Sequence, residues 1–104
     1  MNLFEITKLI NRLAFNVFSE VQAEKIQSRK RRSTRYDYEL ILDDISKWLK
    51  GSNCYSEVYD KIKNDDEIFI NNLDVEDLVN EVIYQLENML EKELKKLEKE
   101  DYEE

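Results

Sequence analysis

The sequence predicts an all-α protein, a small bundle of about four helices with a long C-terminal amphipathic helix, which dimerisation would complete. Three observations carry this. Proline is absent and glycine occurs once, at Gly51, which removes the residues that tight hairpins use most. Apolar residues recur at alternating spacings of three and four through most of the chain, the period of a helix with one buried face. Charged residues make up 38% of the 104 positions, against roughly 25% in an average domain, as expected when each helix leaves most of its surface in water.

The first helix is built on Leu3, Ile6, Ile10, Leu13 and Val17, with Phe4, Leu9, Phe18 and Val21 widening the stripe. The pattern fades after Ile26, and residues 28–35 contain no apolar side chain. A second helix follows on Tyr38, Ile41, Leu42, Ile45, Trp48 and Leu49, with Thr34 as a candidate N-cap, Asp37 three residues later, and Gly51 placed to end it in a left-handed cap. Tyr55, Val58, Tyr59 and Ile62 carry a shorter third helix, with Ser52 and Asn53 as candidate caps.

The run Glu67-Ile68-Phe69-Ile70-Asn71-Asn72 suits a strand or a buried helical turn by pattern alone. With no other strand to pair it, a helical turn or irregular link is expected. The last helix has the clearest start: Asp74 as N-cap, Asp77 at the third helical position, and Leu73 able to staple to Leu78. Val79, Ile83, Leu86, Leu90, Leu94 and Leu97 continue its stripe further than a globule of this size requires, so Leu86, Leu90, Leu94 and Leu97 are candidates for an oligomer interface. Residues 1–100 thus form one domain, with a frayed acidic tail at 101–104.

Charge is divided unevenly. Residues 1–35 hold eight basic and three acidic residues, a balance of +5, whereas residues 36–104 hold eight basic and twenty-one acidic, a balance of −13. Four of the five arginines, Arg29, Arg31, Arg32 and Arg35, fall within seven positions. Guanidinium groups contact phosphate or carboxylate in a planar fork that lysine lacks. Arg29, Lys30, Arg31, Arg32 and Arg35, with Tyr36 and Tyr38 beside them for base stacking, are therefore a candidate site for nucleic acid or an acidic partner. The competing reading is a solvated link whose arginines pair with the chain's own surplus carboxylates.

Most chemistry has no foothold. There is no histidine, the most common general base at neutral pH. One cysteine, Cys54, supplies no thiolate metal site and no internal disulfide, and one glycine makes no phosphate-cradling loop. Cys54 is expected to be a passive thiol, and Trp48, Phe15 and Phe18 to be core residues. Acidic pairs one turn apart, such as Glu57 with Asp60, Glu39 with Asp43 and Asp77 with Glu81, resemble magnesium-binding spacing in an all-α nucleotide pyrophosphatase. Twenty-four acidic residues generate such pairs by chance. No catalytic residue, metal, cofactor or small-molecule substrate is expected.

No run is long and apolar enough to span a membrane, and the cysteine usage fits a cytoplasmic setting. The composition points first to a non-catalytic interaction module, acting with itself or as a small subunit of a larger complex. Two alternatives come from other classes. One is a virus- or mobile-element-encoded acidic inhibitor that occupies a host protein's nucleic-acid channel. The other is a nucleic-acid-associated regulator working through residues 29–35.

Overall fold

The computed structural model describes residues 1–29 and 35–103, with side chains for all of these except residues 29, 35, 36 and 100–103. The described residues form five helices and no strand: α1 (Leu3–Arg29), α2 (Arg35–Lys50), α3 (Cys54–Ile62), α4 (Asp66–Ile70) and α5 (Val75–Glu103). The all-α expectation holds, with α4 as a fifth, one-turn element where the sequence left a helical turn or link. The tail expected to fray is helical through Glu103. Thr34, the candidate cap of α2, lies outside the described residues.

Helix α5 is the spine. At 1.5 Å per residue its 29 residues span about 43 Å, close to the molecule's longest extent of 48 Å. Helices α1, α2 and α3 all pack on it, and α1 and α2 also pack on each other. The core runs along this shared axis: Leu9, Leu13, Val17 and Val21 from α1, Ile41, Leu42 and Ile45 from α2, Val58 and Ile62 from α3, and Val79, Val82, Leu86 and Leu90 from α5 are buried. Burying a full aliphatic side chain of this kind contributes about 1.5–3 kcal/mol, so this strip holds the tertiary fold together.

The joint between α4 and α5 shows how local sequence sets tertiary geometry. Asp65 caps α4 by accepting from the Glu67 amide at 3.0 Å. At the other end Asn72 adopts φ 51°, the only positive φ among the described residues. Its amide donates to the Phe69 carbonyl and the Leu73 amide donates to the Ile68 carbonyl. That pair of bonds is a Schellman motif, and asparagine is the residue other than glycine best suited to the left-handed position. Asp74 then caps α5, accepting from the Glu76 amide at 2.9 Å. Leu73 is half-buried against the core beside buried Ile68 and Leu78, so it serves both as the apolar contact that closes α4 and as the staple that opens α5.

Two caps differ from expectation. Gly51 does not take the left-handed conformation; its amide bonds the Trp48 carbonyl at 3.1 Å in a tightened last turn, which needs no positive φ. Asn53 precedes α3 in helical geometry, and its side chain makes no capping bond.

Long polar side chains tie the helices from outside. The Trp48 indole N–H donates to the Glu57 carboxylate, joining α2 to α3. Lys61 of α3 reaches across to α1, its ammonium 3.0 Å from both Glu20 and Glu24. Partial burial of Lys61 works against its charge, and the hydrogen bonds and negative charges of Glu24 and Glu20 outweigh that, so its pKa lies above the usual value. A cation with a raised folded-state pKa contributes stability in full below its unfolded pKa and loses it as pH rises through the folded one. Replacing Lys61 with Met is therefore expected to cost about 1 kcal/mol at pH 7, given the solvent-screened partners. In denaturant titrations the difference between the two proteins should begin to fall above about pH 10.4, where the unfolded lysine deprotonates, and vanish only once pH passes the raised folded-state value; a difference with no pH dependence would exclude an electrostatic origin.

Candidate functional site

The arginine-rich segment is only partly within view. Lys30, Arg31 and Arg32 lie outside the described residues, as do the side chains of Arg29, Arg35 and Tyr36. The fifth arginine, Arg12, is described, and it clamps the chain's own carboxylates: one guanidinium nitrogen sits 3.0 Å from each oxygen of Asp65 and 3.3 Å from Glu67. Tyr38 turns inward. Its ring packs against the core, its hydroxyl accepts from the Gln22 amide at 3.3 Å, and burial followed by the nearby Glu93 charge raises its pKa. A phenol held between α1, α2 and α5 is not free to stack on a base.

The four leucines expected at an oligomer interface differ in where they lie within the chain. Leu86, Leu90 and Leu97 are buried inside the molecule, while Leu94 alone remains 40% exposed. The stripe on α5 is consumed by α1, α2 and α3, because a spine helix with three neighbours needs an apolar face as long as itself.

The acidic pairs are spread over separate surfaces. Glu57 accepts from Trp48, Asp60 lies 3.3 Å from Lys63, and Asp43 lies 3.1 Å from Lys47. Glu39, Asp77 and Glu81 are exposed. Among the described residues no three histidine, cysteine, aspartate or glutamate side chains converge as a metal site.

Cys54 opens α3 but is buried, and burial, with the charges of Glu57 and Glu87, pushes its thiol up to about 11. At pH 8 its thiolate fraction is smaller than that of an ordinary thiol by on the order of 100-fold. Alkylation by iodoacetamide should be slower by at least that factor in the folded chain than in denaturant; equal rates would show an accessible thiol of ordinary reactivity instead.

What the structure places outside is more informative than these sites. Phe69 is 86% exposed and Ile70 75%. Three consecutive apolar residues on a single helical turn cover about 200° of arc at 100° each, so only Ile68 reaches the core. That geometric limit is the sequence signal that at least one of the three stays outside. Around the pair, residues 64–77 hold six carboxylates and no basic residue. The backbone beneath is held by the Asp65 cap, the Asn72 turn, the Arg12 clamp and the Asn71 side-chain amide, which donates to the Glu67 carbonyl at 2.8 Å.

On α1, Phe18 is buried as expected, but Phe15 is 62% exposed, contrary to its reading as a core residue. The buried stripe is centred on Leu9, Leu13, Ala14, Val17, Phe18 and Val21, which turns Phe4 and Phe15 toward solvent. Leu3 stays outside as well, at the first residue of the helix. The chain matches no family model, no curated protein and no solved structure.

Proposed function

We propose that the chain is a non-catalytic helical interaction module, acting as a homo-oligomer or as a small subunit of a larger complex. The observation that supports it is a filled core coexisting with large apolar side chains outside: Leu3, Phe4, Phe15, Phe69 and Ile70 are each at least 62% exposed. Single exposed apolar residues are ordinary. An adjacent Phe-Ile pair on a turn fixed at both ends is a different matter, because a pre-ordered anchor loses little entropy when it enters a partner's pocket. The test compares wild-type chain with a Phe69→Ser/Ile70→Ser variant as bait for partners from the source cell. The variant should keep its helicity and lose the captured protein; equal capture by both would remove α4 from the reading.

A second reading draws on the charge around that pair. Six carboxylates flanking an exposed Phe and Ile suit an acidic inhibitor that enters a basic, apolar-floored nucleic-acid channel, where complementary charge speeds encounter. A captured partner whose nucleic-acid binding is displaced by the chain, and not by the variant, would favour it. A nucleic-acid regulator acting through Arg29, Lys30, Arg31, Arg32 and Arg35 predicts the opposite: direct, salt-sensitive binding of nucleic acid by the chain itself.

A further inference from the structure

Three exposed apolar residues fall on one line of α1. Phe4, Phe15 and Ile26 are spaced by eleven, and eleven residues make three turns plus about 20°, so the three share a strip on the side opposite buried Leu9, Leu13 and Val17. The spacing is equal on either side of Phe15. Such a row is its own complement when reversed: in an antiparallel pair with Phe15 on the two-fold axis, Phe15 meets Phe15 and Phe4 meets Ile26 of the second copy.

We propose that this outward face of α1 pairs antiparallel with the same face of a second copy. The proposal rests on the reading of the chain as an interaction module and names one of its surfaces. Self-pairing is isologous, so one patch serves both partners and the assembly closes at two.

Charge selects this face over the others. Residues 3–29 carry four basic and three acidic side chains, while residues 36–104 stand at −13. Pairing through the α4 turn would set six carboxylates against six. Between the apolar residues of the α1 row lie Lys8, Asn11, Ser19 and Gln22, with no acid among them. The antiparallel register brings Asn11 opposite Ser19 and Lys8 opposite Gln22, whose amide is already held by the Tyr38 hydroxyl, so no like charges meet, and it opposes the two helix dipoles. A parallel register would set Lys8 against Lys8 and align the dipoles.

Area sets the strength. Phe4 and Phe15 are about two-thirds exposed, and a phenylalanine buries roughly 150–250 Å² in full, so four rings supply on the order of 500 Å². With Ile26, 37% exposed, and the flanking polar residues along about 40 Å of helix, the total stays at or below the lower end of specific interfaces, roughly 1,200 Å², so the pairing is weak. The Lys8 ammonium, 4.6 Å from the centre of the Phe4 ring, already covers part of one ring. A dimer that dissociates in the micromolar range is expected.

Sedimentation velocity of the full chain from about 1 to several hundred micromolar should show a monomer–dimer equilibrium. Phe15→Glu should raise the dissociation constant at least tenfold while circular dichroism and melting stay unchanged, and Phe15→Leu should retain the dimer. For register, Phe15→Cys should cross-link to itself with a short bismaleimide. Phe4→Cys and Ile26→Cys should cross-link only when mixed, with buried Cys54 silent.

A monomer at every concentration overturns the proposal, and so does a dimer indifferent to Phe15→Glu, or Phe4→Cys linking to itself as a parallel pair would. Loss of a different protein's binding on Phe15→Glu, with the free chain monomeric, also overturns self-pairing. In each of these cases, partner capture that depends on Phe69 and Ile70 would leave the interaction-module reading standing; its absence as well would remove both.

Discussion

Leu86→Ala is expected to cost about 3–5 kcal/mol of unfolding free energy, whereas Leu94→Ala should cost less than about 1 kcal/mol. Leu86 is fully buried on α5, the helix on which α1, α2 and α3 all pack. Truncating it removes transfer free energy and leaves a cavity that three helices cannot close together. Leu94, 40% exposed, leaves no cavity behind. Sequence alone assigns these two leucines the same role, eight residues apart on one stripe. Denaturant unfolding of the two variants separates them, and equal losses would mean that Leu94 is buried in solution by an assembly the isolated chain does not show.

Asp65→Ala is the second large effect, about 1–3 kcal/mol. One carboxylate caps α4 through the Glu67 amide and also receives the Arg12 guanidinium from α1. Losing an aspartate cap costs about 0.5–2 kcal/mol, and the partly buried charge-assisted bond adds up to about 1 kcal/mol. Asp65→Asn should recover most of the cap and little of the clamp. Amide exchange is the sharper readout: protection across residues 66–73 should fall by more than the global loss in Asp65→Ala, since both anchors of the turn share that side chain. A uniform loss through the whole chain would show instead that α4 unfolds only with the core.

The helices were legible because their information is local. Spacing places α1, α2, α3 and α5, and the Asp74 cap with its Leu73 staple is written in consecutive residues. Which side of a helix is buried was less legible. The α1 stripe could be drawn through Leu3 and Phe4 or through Leu9, Ala14 and Phe18, and the choice is made by where α5 lies, which is a tertiary fact. The same holds for α5: its stripe reads as surplus apolar surface until three neighbours are counted against it. Tyr38 reads as part of the basic segment by sequence proximity, yet its ring packs on the core and its hydroxyl meets Gln22 of α1, a tertiary contact. Phe69 and Ile70 were legible in principle, since one turn cannot bury three neighbours in a row, but deciding which of the three is buried needs the direction of the core.

Leu73 has a consequence for how this chain can change in length. One side chain both closes α4 and opens α5, with Asn72 in the left-handed position before it and the Asp74 cap after it. An inserted or deleted residue between Asn71 and Asp74 would force the chain to give up one of these contacts, so this connection tolerates substitution far better than any change of span. A library of single-residue insertions should therefore be depleted at these four positions, although they lie on the surface in a turn, where insertions are ordinarily accepted.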